Sequence, residues 1–266
     1  MKLVFIRGAG EMATGVAHRL QAVGYSLLLT ELPQPLAVRR GVAFAQAVYD
    51  GSIEIEGVRA RQVATLAQAL DCCRRGQVPV LSQEIRGEDL AALGPLALVD
   101  ARLAKVNLGT RLDEAPVVIG LGPGFTAGED VHAVIETNRG HNMGRVLYAG
   151  TAEADTGSPG EIGGYRGERV IKVSRSGVFT SERRIGDFIG AGEIFGAIDG
   201  FPVTATIGGV IRGLLRSGTP VIARTKLGDI DPRGIRDYCF TISEKARAIG
   251  GGVLEALLRL GGGVGQ

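Results

Sequence analysis

VVIGLGPGFTAGEDVHAVIETNRGHNM, residues 117–143, decides the fold of this chain. Its first three residues are β-branched and apolar, which predicts a buried strand, and the glycines that follow allow tight turns. Glu129 and Asp130 suit the first turn of a helix, and the apolar residues at 131, 134 and 135 predict its buried stripe. A strand, a glycine loop and a helix in this order favour a site for anions or nucleotides, although the same pattern also fits a structural turn.

The same stretch carries a dense group of candidate ligand residues. Because helical residues four apart share a face, we expect His132 and Glu136 to lie side by side. One histidine and one carboxylate fall short of a metal-ligand set, so we predict no metal site. The glycine backbone and the polar side chains of the stretch would instead meet an organic ligand. The residues expected to contact it are Gly120, Gly122, Gly124, His132, Arg139, His141 and Asn142.

The N-terminal segment matches the fingerprint of a dinucleotide-binding βαβ unit. An apolar run at residues 2–6 precedes Gly8, Gly10 and Ala13, which fit the pattern GxGxxG/A. Glu31 falls at the end of the predicted second strand, where such folds place the acid that binds a ribose. The pattern predicts a Rossmann-like start with NAD(P) as a candidate cofactor. Many such folds keep the glycines and bind nothing there, and the sequence leaves that alternative open.

Two further charged residues follow the end of a predicted strand. Asp100 ends a short apolar run, and Lys105 comes five residues later. Open α/β sheets bind ligands at the carboxyl ends of their strands, so both residues are candidates for cofactor binding. A helix cap and a solvated lysine are the equally good structural interpretation.

Composition argues against two classes of partner. Tryptophan is absent, aromatic residues make up 5% and the formal net charge is +2, so the stacking platforms and basic excess of nucleic-acid binders are missing. No apolar run approaches the roughly 18 residues of a membrane span, and the N-terminus lacks the apolar region of a signal peptide. The three cysteines fit a reducing compartment. We therefore predict a cytoplasmic protein that binds neither nucleic acid nor membrane.

The character of the sequence changes after residue 144. From 145 to 240, short β-like runs alternate with glycine turns, which predicts an all-β domain with a tight hairpin at Asp199-Gly200. This pattern resembles the barrel-sandwich fold of biotinyl and lipoyl carrier domains, but the hairpin lacks the lysine that carries biotin or lipoate. The predicted domains are a Rossmann-like α/β domain at 1–144, the barrel-sandwich β domain at 145–240, and a terminal helix with a flexible tail at 241–266.

The terminal helix contains three consecutive glycines. Ser243 is a natural cap, and apolar residues recur at helical spacing from Ala246 to Leu258. Gly250, Gly251 and Gly252 together cost about 3 kcal/mol relative to alanine. The sequence favours a helix that packs very closely against a neighbour. The alternative is that the glycines end one helix and open another at an anion site.

Several long motifs resemble one family. They are GAGEMATGVAHRL, GLGPGFTAGEDVHAVIETNRGHNMGR, LGDIDPRG and ISEKARAIGGGVLEALL, and they resemble the selenium-dependent molybdenum hydroxylase accessory family, often labelled YqeB. The resemblance implies a cytoplasmic accessory factor for the maturation of selenium-containing molybdenum hydroxylases. It implies an apo molybdenum hydroxylase as partner. It assigns no catalytic residues.

Three functional hypotheses follow. The first is a maturation factor that binds a small nucleotide-like ligand or the molybdenum cofactor at its glycine loops, with Cys239 as a candidate chalcogen carrier. The second is an NAD(P)-dependent oxidoreductase with His132 or His141 as acid or base. The third is a non-enzymatic scaffold. The sequence leaves open whether any step is catalytic and whether the chain forms a homo-oligomer.

Overall fold

The computed structural model describes residues 2–261, which form two compact units. The first unit comprises residues 2–35, 43–155 and 242–261, and the second comprises residues 36–42 and 156–241. This division differs from the predicted domain boundaries, because residues 145–155 and the terminal helix lie within the first unit. The flexible tail predicted at the end of the chain lies outside the described residues.

A nine-stranded sheet forms the centre of the first unit, and a separate two-stranded sheet lies beside it. The strands of this unit, in chain order, are β1 (Leu3–Arg7), β2 (Ser26–Thr30), β3 (Ser52–Ile55), β4 (Val58–Val63), β5 (Val78–Leu81), β6 (Ala97–Asp100), β7 (Val117–Leu121), β8 (Thr126–Ala127), β9 (Ala133–Ile135), β10 (Val146–Leu147) and β11 (Gly150–Thr151). The small sheet consists of β8 and β11.

The order of the large sheet is β10-β9-β7-β6-β1-β2-β5-β4-β3. Neighbouring strands from β9 through β4 are parallel, and only the outermost strands at each end are antiparallel. The run β5-β2-β1-β6-β7-β9 has the strand order of doubly wound dinucleotide-binding sheets, in which the order reverses beside the first strand. Such sheets bind ligands at the carboxyl ends of their strands, so we expect a ligand site at the carboxyl edge of this sheet.

Five helices belong to the same unit. They are α1 (Glu11–Ala22), α2 (Ala47–Asp50), α3 (Leu66–Arg74), α4 (Gly87–Leu93) and α5 (Glu244–Leu260). The prediction of an α/β part is confirmed. β3 and β4 form a hairpin by antiparallel pairing. The core of the sheet consists of fully buried aliphatic residues such as Val4, Ile6 and Val99.

The predicted helix after residue 128 is wrong. Residues 131–136 contain β9, which pairs in parallel with β7. Asp130 does not cap a helix; its carboxylate accepts a hydrogen bond from the Thr126 amide at 2.8 Å and closes a turn. The apolar residues at 131 and 133–135 are all buried, and a short run that is apolar on both sides fits a buried strand as well as a helix. His132 and Glu136 therefore share no helix face.

The second unit is all-β, as predicted. Its strands are β12 (Val170–Lys172), β13 (Gly177–Thr180), β14 (Phe188–Ile189), β15 (Ile194–Ile198), β16 (Phe201–Thr204), β17 (Gly209–Leu214), β18 (Thr219–Val221) and β19 (Lys226–Asp231). They form two four-stranded antiparallel sheets, β12-β19-β17-β14 and β16-β15-β13-β18. Asp199 and Gly200, both with positive φ, form the expected tight hairpin between β15 and β16. Phe179 and Phe195 stack in the core of the second unit, with their ring centroids 6.4 Å apart.

Close packing, the favoured interpretation, explains two of the three glycines of α5, Gly250 and Gly252, whereas a Cβ on Gly251 would meet nothing within 4 Å. A Cβ on Gly250 would lie 2.8 Å from the carbonyl oxygen of Gly15 in α1, closer than real contacts allow. Gly252 lies against the backbone of Gly144, and Gly15 lies against Ala246. The helix is continuous through all three glycines. These contacts fix the first turns of α5 on α1.

Candidate ligand site at the carboxyl edge of the sheet

The first glycine loop is held by the acid that was expected to bind a ribose. Gly8 has a φ of +95°, and Gly10 is the N-cap of α1. Glu31 accepts hydrogen bonds from the Ala9 amide and from the Leu32 amide, each at 2.8 Å. A ribose hydroxyl would have to compete with these two amides for the same carboxylate.

Residues 43–46 cover this loop. The Ala45 amide donates to the carbonyl of Ala9 at 2.8 Å, and the Phe44 amide donates to the hydroxyl of Thr14 at 2.8 Å. Ala13 is fully buried. These two hydrogen bonds anchor residues 43–46 to the first glycine loop and to α1.

The second glycine loop is also packed against its own chain. A Cβ on Gly120 would meet the ring of Phe125, one on Gly122 would meet Thr137, and one on Gly124 would meet the backbone of Val106. The His132 Nδ1 accepts a hydrogen bond from the Val118 amide at 2.9 Å, so this ring supports the pairing of two strands. His141 is exposed on a turn.

A buried network of charges lies where β1 and β6 end. Arg7, only 1% exposed, donates to both carboxylate oxygens of Glu114, at 2.6 and 2.9 Å, and to the hydroxyl of Thr110 at 2.7 Å. Thr110 donates to Asp100, which also binds Arg102. Burial alone would raise the pKa of Asp100, but the hydrogen bonds and charge of Arg102 hold that pKa below its ordinary value. The sequence singled out Asp100; Arg7 and Thr110 gave no signal beyond their position.

A second polar cluster follows β9. Glu136, 2% exposed, accepts hydrogen bonds from the amides of Asn138 and Glu153, at 2.6 and 2.7 Å. The side-chain amides of Asn138 and Asn142 both donate to the carboxylate of Glu153, at 2.6 and 3.1 Å. These bonds, Asn138 first, lower the pKa of Glu153. The structure thereby fixes the position of Asn142, one of the predicted site residues.

The cationic residues of the predicted site lie beside this cluster. Arg139 forms an ion pair with Glu244, and Lys105 binds Asp155 with an N–O distance of 2.5 Å. Sequence reasoning missed Lys245, in the first turn of α5. Burial lowers the pKa of Lys245, and the positive charge of Arg139 lowers it further, while Glu11, Glu136 and Asp155 act in the opposite direction. The one available signal was a lysine in the first turn of a helix, where the macrodipole disfavours positive charge.

Cys239, the hypothesised chalcogen carrier, is not exposed. The residue is 0% accessible, and its thiol donates to the Ile211 carbonyl at 3.7 Å. Burial raises the pKa of Cys239, of Cys72 and of Cys73, the last to about 11.

We expect the native protein to react slowly with Ellman's reagent at about pH 8, because buried thiols with raised pKa values supply little thiolate. In denaturant all three cysteines should react rapidly. The measurement is the absorbance of the released thionitrobenzoate. Rapid reaction of one thiol in the native protein, lost in Cys239→Ala, would restore the carrier hypothesis.

Within residues 2–261, no group of three or more His, Cys, Asp or Glu side chains is placed to hold a metal ion. Over the same residues, no helix has the length and apolar character needed to cross a membrane.

Comparison with known proteins gives a relative for this arrangement. No protein-family model matches the chain. Over 259 residues, 97% of its length, the chain is 49% identical to the uncharacterized protein YqeB of Escherichia coli (strain K12). The chain is thus similar to YqeB over nearly all of its own length. It spans about half the length of that YqeB protein, 48%, and the name of the relative states no activity.

Two solved structures are remotely similar. One is the product-bound ectoine utilization protein EutE (DoeB) from Ruegeria pomeroyi, with 10% identity, coverage of 86% of this chain and 57% of that chain, and a TM-score of 0.23. The other is a succinylglutamate desuccinylase/aspartoacylase from Rhodobacter sphaeroides, with 11% identity, coverage of 86% and 85%, and a TM-score of 0.24.

Proposed function

We propose that this chain is an accessory factor that binds a nucleotide-like ligand, or the molybdenum cofactor itself, at the carboxyl edge of its large sheet. In this role it serves the maturation of selenium-dependent molybdenum hydroxylases in the cytoplasm, with the apo hydroxylase as partner. The supporting observation is the convergence of charged side chains at this edge. Lys105 follows β6, Arg139 follows β9, and Lys245 comes directly after Glu244, the partner of Arg139. Doubly wound sheets bind ligands at the carboxyl ends of such strands.

The residues at this edge fit the phosphate of a nucleotide better than its ribose. Both carboxylate oxygens of Glu31 are engaged by amides, which leaves less capacity for ribose hydroxyls. The cations Lys105 and Arg139 are paired only with side chains that are 40% and 66% exposed, so a phosphate could replace or share those pairs. The molybdenum cofactor, when bound, would supply the metal and its pterin. The residues named here would only hold its anionic end.

In this proposal the second unit provides the surface that contacts the partner hydroxylase. Its two four-stranded antiparallel sheets support the barrel-sandwich interpretation. By formal count over residues 36–42 and 156–241, it carries 14 Lys or Arg against 9 Asp or Glu, a difference of +5. A basic surface favours an acidic face on the hydroxylase.

The test is the activation of a hydroxylase in cells that lack this protein. A selenium-dependent molybdenum hydroxylase should accumulate there in normal amount with little activity, and the intact gene should restore its activity. A molybdenum hydroxylase without selenium, in the same cells, is the matched control and should stay active. Full activity of the selenium-dependent enzyme in the deleted strain would refute the proposal.

A further inference from the structure

Lys245 has a backbone position that the helix contacts fix. It follows the N-cap Ser243 by two residues, and the next residue, Ala246, lies against Gly15 of α1. A Cβ built on Gly15 would come within 2.6 Å of the Ala246 Cβ, so little room exists for the first turn of α5 to shift. The lysine is thereby placed near the first turn of α1, and the charge of Glu11 acts on it.

The ammonium group of Lys245 is half-buried and has no partner. Among residues 2–261 it forms neither a hydrogen bond nor an ion pair, although an ammonium carries three donors. The nearby carboxylates are already engaged: Glu136 accepts from two backbone amides, and Asp155 binds Lys105. An ammonium group that is partly removed from water and has no partner among the described residues is available to an anionic group from outside the chain.

The like charge of Arg139 indicates the chemistry of that group. Arg139, whose side chain is 32% exposed, forms an ion pair with Glu244, the residue that precedes Lys245, so both cations lie at the start of α5. A cationic or neutral ligand would leave their repulsion in place, whereas an oxyanion would relieve it and accept hydrogen bonds from both.

We propose that Lys245 binds a phosphate or pyrophosphate group of the ligand, with Arg139 as the second cation. This inference rests on the proposed ligand site but not on the identity of the partner hydroxylase. It assigns a phosphorylated ligand to the edge of the sheet and a binding role to a residue on the last helix.

Binding should be coupled to proton uptake. In the free protein, burial and the positive charge of Arg139 hold the pKa of Lys245 below its ordinary value. The negative charges of Glu11, Glu136 and Asp155 oppose this shift only in part. A bound phosphate would raise that pKa. Affinity should therefore be highest below the free-state pKa and fall as the pH rises through it, and buffers of different ionisation enthalpy should report protons taken up on binding.

The experiment is calorimetric titration of the whole purified chain with inorganic pyrophosphate. Lys245→Met should weaken binding by about tenfold or more, since a hydrogen bond to a charged group is lost, while Lys245→Arg should stay closer to the unaltered protein. Lys2→Met is the matched control: Lys2 is exposed and precedes β1, at the opposite edge of the sheet. It should bind pyrophosphate like the unaltered chain.

Lys245→Met should melt no lower than the unaltered chain without ligand, because the substitution removes a cation that has no partner. That melt shows that the variant is folded. The inference is overturned if the unaltered chain fails to bind pyrophosphate, if Lys245→Met binds it equally well, or if Lys2→Met weakens binding to the same extent. If pyrophosphate binding depends on Lys245, this inference stands. If the selenium-dependent hydroxylase is also fully active in the deleted strain, the proposed function is refuted while this inference still stands.

Discussion

Gly252→Ala should lower the free energy of unfolding by about 1–3 kcal/mol, although alanine is the better helix former. The added Cβ would collide with the carbonyl oxygen of Gly144 and come within 3.0 Å of the Ile135 side chain. The Gly144 backbone cannot yield easily, because its amide donates to the Glu136 carbonyl at 2.9 Å and its φ is +83°. The measurement is the midpoint of urea unfolding followed by circular dichroism.

Gly251→Ala is the matched control for this change. The same helix carries both glycines, and a Cβ on Gly251 would meet nothing within 4 Å. The substitution should therefore stabilise the protein by up to about 1 kcal/mol. Equal effects of the two substitutions would contradict the close helix contact seen in the structure.

Glu114→Ala should destabilise the protein by about 3–5 kcal/mol, the usual result of removing one partner from a buried ion pair. The side chain of Arg7 is 1% exposed and that of Glu114 12% exposed. Without Glu114, the Arg7 guanidinium keeps only its bond to Thr110 among the partners described above. Asp113→Ala is the control, since its pair with Arg111 is exposed and should contribute nothing measurable. A small effect of Glu114→Ala would mean that water reaches Arg7.

The same network should make stability sensitive to acid. Burial alone would raise the pKa of Glu114, but hydrogen bonds from Arg7 and the Arg111 amide hold it below 4.5. The pKa of Asp100 is likewise below 3.8. The folded state thus binds fewer protons than the unfolded state, so these groups stabilise the fold above their unfolded pKa values and lose that effect as the pH falls. Glu114→Gln should flatten the loss of stability below about pH 4.5.

Local sequence patterns predicted the elements whose structure depends on local chemistry. Such patterns mark the strand–glycine–helix start, the Asp199-Gly200 turn and the capped terminal helix. The helix predicted over 129–136 failed because a short apolar run does not distinguish a buried strand from a buried helix, and the sheet supplied a parallel partner for it.

The candidate site was harder to predict because its residues meet only in the folded chain. Glu31 and Asp100 were found at strand ends, where a topological rule applies. Lys245 and Arg7 follow no motif. Their importance depends on burial and on partners that are distant in sequence, such as Glu114 for Arg7, and no local pattern reports either property.

The discontinuity of the first unit has a consequence for synthesis of the protein. On the ribosome, residues 2–155 emerge early, but α5 emerges only after the second unit has been made. Because domains tend to fold as they emerge, the α5-facing surface of α1 stays uncovered until α5 has been synthesised. A chain that stalls or is truncated before α5 would contain both glycine loops but lack Lys245, and would therefore lack the proposed phosphate site.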